Sequence, residues 1–372
     1  MLVAMRVVID AVPLLIRSAG VKNYLYYWIE YLQRAAGADQ IRTFPALDGL
    51  GRLNHDGSVA GPWRTGLGLA ELALANYSPL PVLDFLCRGA DIFHASALVR
   101  RPPGKVRLTA TIHDMTSFLL PELHPAANLR ADRSFAALMR HADGLIAVSE
   151  CTRQDAVRVL GIPEDRITVI HSGIAPAFFD PPANGIAAVR KRYGLVRPFV
   201  LFVGTIEPRK NLGTLLDAFD TLPPSIREEF DLAVAGPMGW APAETVALLK
   251  RVRYLGYVPE ADMAPLTAAA TVFAYPSLYE GFGFPVAQAM AAGVPVVTSN
   301  VSSLPEIAGE AAVLVDPRSQ SELREALARL LLSSDLRTEM ARRGRARAQA
   351  FRWETCAAKS LQFFKAQRES AH

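Results

Sequence analysis

The sequence predicts an α/β protein with two doubly wound parallel-sheet domains, and three observations predict it. Short apolar runs recur along the chain, helical patterns separate them, and the alternation occurs twice, on either side of a Pro- and Gly-rich stretch. A length of 372 residues suits two domains, each large enough to bury its own core.

The first block offers strands at 6–11, 41–46, 91–94, 106–112, 144–149 and 167–171. The second offers strands at 198–203, 231–235, 252–256, 271–275, 294–298 and 312–315. Most are apolar at successive positions, as strands covered on both faces are. Helical patterns fall between them, for example at 211–219, 285–292 and 320–332, and the chain closes with helices at 336–350 and 354–365. Pro176, Pro181, Pro182 and Gly185 punctuate 175–197 and set a boundary there. The resulting domains are 1–185 and 186–353, followed by a terminal helix at 354–372. Residues 51–64, rich in Gly and polar side chains, read as a mobile loop. Two Rossmann-like domains facing each other leave a cleft at the carboxyl ends of both sheets, where open parallel sheets bind ligands.

Composition narrows the function. With 51% hydrophobic and 20% charged residues, the chain is ordinary for a soluble globular protein. A net charge of +4 can recruit an anionic substrate or membrane surface. No basic tract is interleaved with aromatics, so no nucleic-acid partner is expected. Cys87, Cys151 and Cys356 are scattered and fit neither a disulfide framework nor a metal site, which points to reduced thiols and a cytoplasmic protein. Residues 1–6 lack the order of a signal peptide, and no run of about 20 apolar residues is unbroken. Membrane contact is therefore expected to be peripheral, at the inner face of the membrane and through the first domain.

Four constellations at strand ends carry candidate chemistry. In Val203-Gly204-Thr205-Ile206-Glu207-Pro208-Arg209-Lys210-Asn211, a strand ends at a glycine and a helix follows. Arg209 and Lys210 join the helix N-terminus there as a diphosphate cradle, although a solvated basic pair has the same spacing. In Tyr275-Pro276-Ser277-Leu278-Tyr279-Glu280-Gly281-Phe282-Gly283-Phe284-Pro285, the amides of Gly283 and Phe284 head the next helix. Glu280 stands before that turn, where a carboxylate can meet sugar hydroxyls, and Gln288 lies one turn into the helix. Thr111-Ile112-His113-Asp114 ends a strong apolar strand, as His94 ends another. Each histidine can face a ligand or simply be satisfied locally. Ser18-Ala19-Gly20 precedes an aromatic-rich helix carrying Tyr24, Tyr26, Tyr27, Trp28 and Tyr31, which reads as core and rim more readily than as a membrane belt. Neither an Asp-x-Asp triplet nor a phosphate-binding Gly-x-x-x-x-Gly-Lys-Ser/Thr loop occurs.

These residues resemble the glycosyltransferases of family 4, which have the GT-B fold. The similarity runs from Ile9-Asp10 to Phe351-Arg352-Trp353-Glu354. It is most specific in Tyr279-Glu280-Gly281-Phe282-Gly283-Phe284-Pro285, in Gly293-Val294-Pro295-Val296-Val297-Thr298 and in Ser302-Ser303-Leu304-Pro305-Glu306. The resemblance implies retaining hexosyl transfer from a nucleotide-diphosphate sugar to a glycan or lipid-linked acceptor, with no metal and no further cofactor. GDP-mannose and UDP-glucose are the donor types it suggests, and bacterial envelope polysaccharide the product. It implies that Arg209 and Lys210 hold the diphosphate, Glu280 the donor sugar and His113 the sugar site, these four being the catalytic candidates. Gly20, Gly204, Thr205, Gly283, Phe284 and Gln288 complete the donor site, with backbone at Tyr257 and Val258 meeting the nucleobase. The terminal helix is expected to return to the first domain. One position departs from the family: where a second glutamate follows the first, this chain has Gln288. An amide still accepts a hydrogen bond, but a non-catalytic or degenerate nucleotide-sugar binder, or an epimerase, stays open as an alternative.

Overall fold

The computed structural model describes residues 4–18, 20–47 and 49–369. The chain forms two compact units, Met1–Gly173 with Trp353–His372, and Ile174–Arg352. The first holds β1 (Arg6–Asp10), β2 (Gln40–Phe44), β3 (Ile92–Ala95), β4 (Arg107–Ile112), β5 (Gly144–Ala147) and β6 (Ile167–Val169). Their order is β2-β1-β3-β4-β5-β6, parallel throughout. The second holds β7 (Phe199–Val203), β8 (Asp231–Ala235), β9 (Arg253–Gly256), β10 (Val272–Tyr275), β11 (Val296–Ser299) and β12 (Val313–Val315). Their order is β12-β11-β10-β7-β8-β9, again parallel. Each expected strand is present. The run expected to reach residue 46 stops at Phe44, because Pro45 brings no N–H to the ladder.

Strand order positions the site. From β7 the chain runs outward to β8 and β9, then returns to the other side of β7 for β10, β11 and β12. The loops after β7 and β10 therefore leave in opposite directions and open a crevice between them. Central strands are apolar on both faces, with Val200, Leu201, Phe202, Val234 and Phe273 buried. In the first unit the equivalent switch lies between β1 and β3.

The stretch 175–197, which the sequence offers as a boundary, folds with the second unit. Phe178 is buried, the Arg352 guanidinium lies over the Phe179 ring, and Arg192 pairs with Asp262. The last helix, Trp353–Glu369, belongs to the first unit and packs on α1 (Gly20–Ala35). The Trp28 indole N–H donates to Ser360 Oγ at 2.9 Å, and Trp353 stacks on Tyr27. Of the α1 aromatics, Tyr24 and Trp28 are core, while Tyr26, Tyr27 and Tyr31 are partly covered.

Residues 51–61 have no helix or strand but are anchored. The buried Lys22 ammonium donates to the carbonyls of Asn54 and Gly57 at 3.0 and 2.7 Å, and Val59 N–H donates to Leu14 O. Two helices follow that the sequence did not offer, α2 (Pro62–Tyr77) and α3 (Val82–Leu86). Among the described residues, no helix is long and apolar enough to cross a membrane.

Candidate functional site

The strongest candidate lies at the switch point of the second sheet. After β7, Gly204 approaches Gly236 so closely that a Cβ on Gly236 would stand 1.9 Å from Gly204 O. Only glycine fits there, with φ at +146°. A 3-10 turn, Pro208–Lys210, then presents Arg209 and Lys210. Asn211 follows in the left-handed region, φ +55°, a conformation Asn tolerates better than most residues. Its amide donates to Pro276 O and Pro317 O at 3.0 and 2.7 Å, tying this turn to the loops after β10 and β12. Helix Leu212–Asp220 begins directly after it.

From the other side of the switch, the loop after β10 brings Glu280. Its N–H donates to Ser302 Oγ at 3.0 Å, and its carbonyl accepts from Ser303 Oγ at 2.8 Å. Glu280 as a whole is 7% exposed. Oε1 accepts from Lys210 Nζ (2.7 Å), Ser277 Oγ (2.7 Å) and Tyr275 OH (3.0 Å), while Oε2 pairs with the Arg209 guanidinium at 3.0 Å. Burial alone would push this carboxyl up, but the Arg209 and Lys210 charges outweigh it and hold the pKa down at about 2. Burial and then the neighbouring Arg209 pull Lys210 below the usual lysine range, while Glu280 and Glu207 act in the opposite direction. Arg209 also donates to Glu207 Oε1 (2.8 Å) and Tyr279 O (2.8 Å).

Two cations thus face two carboxylates. The sequence presents Arg209 and Lys210 as a bare basic pair; the fold gives each a counterion. Lys210 directs two of its three protons at Tyr275 and Glu280, leaving one for a further acceptor. Oε2 of Glu280 accepts from Arg209 alone among the described residues, leaving a lone pair for a hydroxyl. An anion bearing hydroxyls can therefore be held by this cluster through both halves.

The remaining donor-site candidates flank it. Gly283 caps helix Phe284–Ala291 at φ +89°, where a Cβ would stand 2.7 Å from Leu304 Cδ2. The N–H groups of Gly283 and Phe284 head this helix, at its positive dipole end. Gln288 is one turn further and partly exposed. Thr205 is partly exposed beside Gly239. Tyr257 and the buried Val258 follow β9. At about 4.8 Å per strand, β9 lies roughly 10 Å from β7, with β10 one spacing away on the other side. The loop 236–240, strand β9 and the residue after it expose Met238, Trp240, Tyr254 and Tyr257. Sequence reasoning passed over Glu207, Asn211, Tyr275 and Gly236. Asn after the basic pair and Gly-Pro at the end of β8 were the signals available.

His113 and Gly20 belong to the first unit. The His113 ring meets the edge of Tyr24, and burial lowers its pKa to about 4, so it is neutral at pH 7. Tyr24 is one helical turn from Gly20, an exposed residue at the start of α1, so the fold brings these two candidates into one neighbourhood. Ala19 lies outside the described residues. His94, which has the same strand-end position, is a core residue: its ring nitrogens lie 3.0 and 2.9 Å from Thr109 Oγ1 and Thr111 Oγ1. Among the described residues, no three His, Cys, Asp or Glu side chains gather to hold a metal ion.

A family model described as Glycosyl transferases group 1 matches residues 189–347, and one described as Glycosyltransferase Family 4 matches residues 18–178. The chain is 35% identical over 267 residues to an O-antigen chain mannosyltransferase B of Escherichia coli, covering 70% of each chain. It is 26% identical over 308 residues to the serotype-specific mannosyltransferase WbdA of Escherichia coli, and that match spans only 38% of the relative's length. Among solved structures, sucrose-phosphate synthase from Thermosynechococcus elongatus superposes with a TM-score of 0.73 at 22% identity, over 99% of this chain and all of that one. Anabaena HepE in complex with UDP-glucose gives a TM-score of 0.70 at 18% identity, covering 97% of this chain and all of that one. These structural likenesses show the GT-B fold.

Proposed function

Because this chain belongs to the group 1 glycosyltransferases of family 4, we propose that it moves a hexose from a nucleotide-diphosphate sugar to a glycan or lipid-linked acceptor, with retention of anomeric configuration and without a metal. One observation carries the reading: two nearly buried cations and a partly unsatisfied carboxylate converge at the switch point of the second sheet. Mannose from GDP-mannose is the first donor to test, with UDP-glucose as the comparison. The O-antigen mannosyltransferase relative supports that order.

Along the carboxyl edge of the second sheet, the nucleobase sits towards Tyr257 and Val258, the diphosphate over Gly204 and Thr205, and the hexose beside Glu280. The bond between the anomeric carbon and the diphosphate oxygen breaks through an oxocarbenium-like state. Lys210, Arg209 and the start of helix Phe284–Ala291 stabilise the charge that develops on the leaving group. The acceptor hydroxyl attacks from the same face, and its proton passes to the departing phosphate oxygen. Glu280 fixes both cations and accepts from a sugar hydroxyl through Oε2. The acceptor is proposed to bind the first unit, whose neutral His113 is the candidate there for a hydrogen bond to a sugar hydroxyl. Gln288 supplies an amide oxygen to the ribose. Incubation with GDP-mannose or UDP-glucose and an envelope-glycan acceptor, followed by NMR of the product, tests this. An α-linked hexose on the acceptor is expected from these α-configured donors. Release of free hexose alone, or of an epimerised nucleotide sugar, would replace the proposal.

A further inference from the structure

Helix α2 is amphipathic in the wrong sense for a helix serving only the core. Its inner side carries the small residues Gly68 and Ala75 with Asn76, all buried. Gly68 is pressed so tightly that a Cβ would stand 2.7 Å from Leu15 and 2.8 Å from Pro45. Its outer side carries Trp63, Leu67, Ala70, Leu74 and Tyr77, all exposed. At 100° per residue these five fall within an arc of about 80°, one stripe along the whole helix. Trp63 is 78% exposed and Tyr77 68%. The stripe continues into the following turn and α3, where Leu80 is 69% and Phe85 75% exposed. Isolated apolar side chains on a surface need no explanation, but an uninterrupted stripe rich in Trp, Tyr and Phe does.

The charges around it have one sign outward. Between residues 61 and 105 the basic side chains are Arg64, Arg88, Arg100, Arg101 and Lys105, and all are exposed. The acidic ones, Glu71, Asp84 and Asp91, are only partly exposed. Asp84 and Asp91 accept from the N–H groups of Gly104 and Arg6. Arg100 lies over the Tyr77 ring at 5.3 Å, and Arg101 donates to Ser78 O at 2.7 Å, which places both cations at the end of the stripe. Next to it, a groove of about 990 Å³ runs between α2 and helix Ala126–His141, lined by Leu69, Leu72, Tyr77 and Leu138 together with Arg100 and Arg130. Apolar lining with guanidinium groups matches an amphiphile with an anionic headgroup better than it matches a second copy of this basic surface.

We propose that the outward face of α2 and α3 docks the first unit on an anionic lipid bilayer. Trp63, Leu67, Leu74, Leu80 and Phe85 enter the headgroup region while Arg88, Arg100 and Arg101 meet the lipid phosphates. This deepens the acceptor half of the proposed function, since a lipid-linked acceptor is met at such a surface. It involves none of the donor-site residues.

The test is co-sedimentation of the full chain with vesicles of phosphatidylglycerol and phosphatidylcholine, without donor, against vesicles of phosphatidylcholine alone. The wild type is expected to pellet with the anionic vesicles, at least about tenfold more tightly than with neutral ones, and less at high salt. A Trp63→Glu/Leu74→Glu variant is expected to lose about tenfold or more of this binding while keeping its nucleotide response. Trp63→Phe is expected to keep docking but lose the blue shift of tryptophan emission on vesicle addition. Failure of the wild type to pellet, or equal pelleting by the double variant, would overturn the proposal. So would a dimer in sedimentation velocity that the double variant dissolves, since the face would then bind a second copy. None of these failures touches the transferase reading, which is measured by product formation.

Discussion

Each unit places a buried carboxylate at the switch point of its parallel sheet, and the two are treated in opposite ways. Asp10, at the end of β1, accepts from Val12 N–H, Ser96 N–H and Ser96 Oγ, and among the described residues no cation offsets its burial. Desolvation pushes it up to about 6. Glu280, in the loop after β10, is also buried, but Arg209 and Lys210 hold it at about 2. Burial by itself does not set the charge of a carboxylate; its neighbours do. The first unit uses its carboxylate to staple two loops. The second builds a charged cluster whose cations can turn to an incoming anion, and the donor chemistry proposed for the second unit rests on that contrast.

Lys210→Ala probes the charged side and should have the largest effect, lowering turnover by well over tenfold. It also leaves Glu280 with Arg209 as its one cation, at a stability cost of about 1–3 kcal/mol. Comparing initial rates of transfer with denaturant unfolding separates the two losses.

The pH dependence of stability reads both sides at once. His94 and His113 have pKa values lowered to about 3 and about 4 from 6.5, both chiefly by burial. The unfolded chain therefore takes up their protons first, and stability should decline as pH falls from 6.5 towards 4. Asp10, raised from 3.8 to about 6, acts in the opposite sense and favours the folded state as pH falls through that window. The contribution of Glu280 is complete above 4.5 and is lost as pH falls towards 2. Urea unfolding across this range should show a net decline that is shallower in His94→Gln.

Gln288→Glu is expected to tighten donor binding by about fivefold, the value of replacing a neutral acceptor with a charged one at roughly 1 kcal/mol. Calorimetric titration of the nucleotide sugar measures it. Asp10→Asn should matter least, within about 1 kcal/mol at neutral pH, because burial already opposes the Asp10 charge and a neutral acceptor escapes that penalty.

The strands were legible because buried parallel strands are apolar on both faces, a pattern local in sequence. Arg209, Lys210 and Glu280 were legible as strand-end residues beside helix starts. Their pairing was not, because it joins positions 70 residues apart through a strand order that no local pattern encodes. His94 and His113 look alike in sequence; Thr109 and Thr111 on β4 separate them by occupying both nitrogens of His94. The helix α2 was missed because its large apolar residues point outward, so its pattern does not describe burial.

The most direct measurement is thermal unfolding of the wild type and Lys210→Ala with UDP and with GDP, without added metal. At 100 times its dissociation constant, a nucleotide that fits should stabilise the wild type by about 2.7 kcal/mol. That response is expected for one of the two bases, and is expected to be lost in Lys210→Ala. An equal response in both proteins would contradict the claim that Lys210 holds the diphosphate.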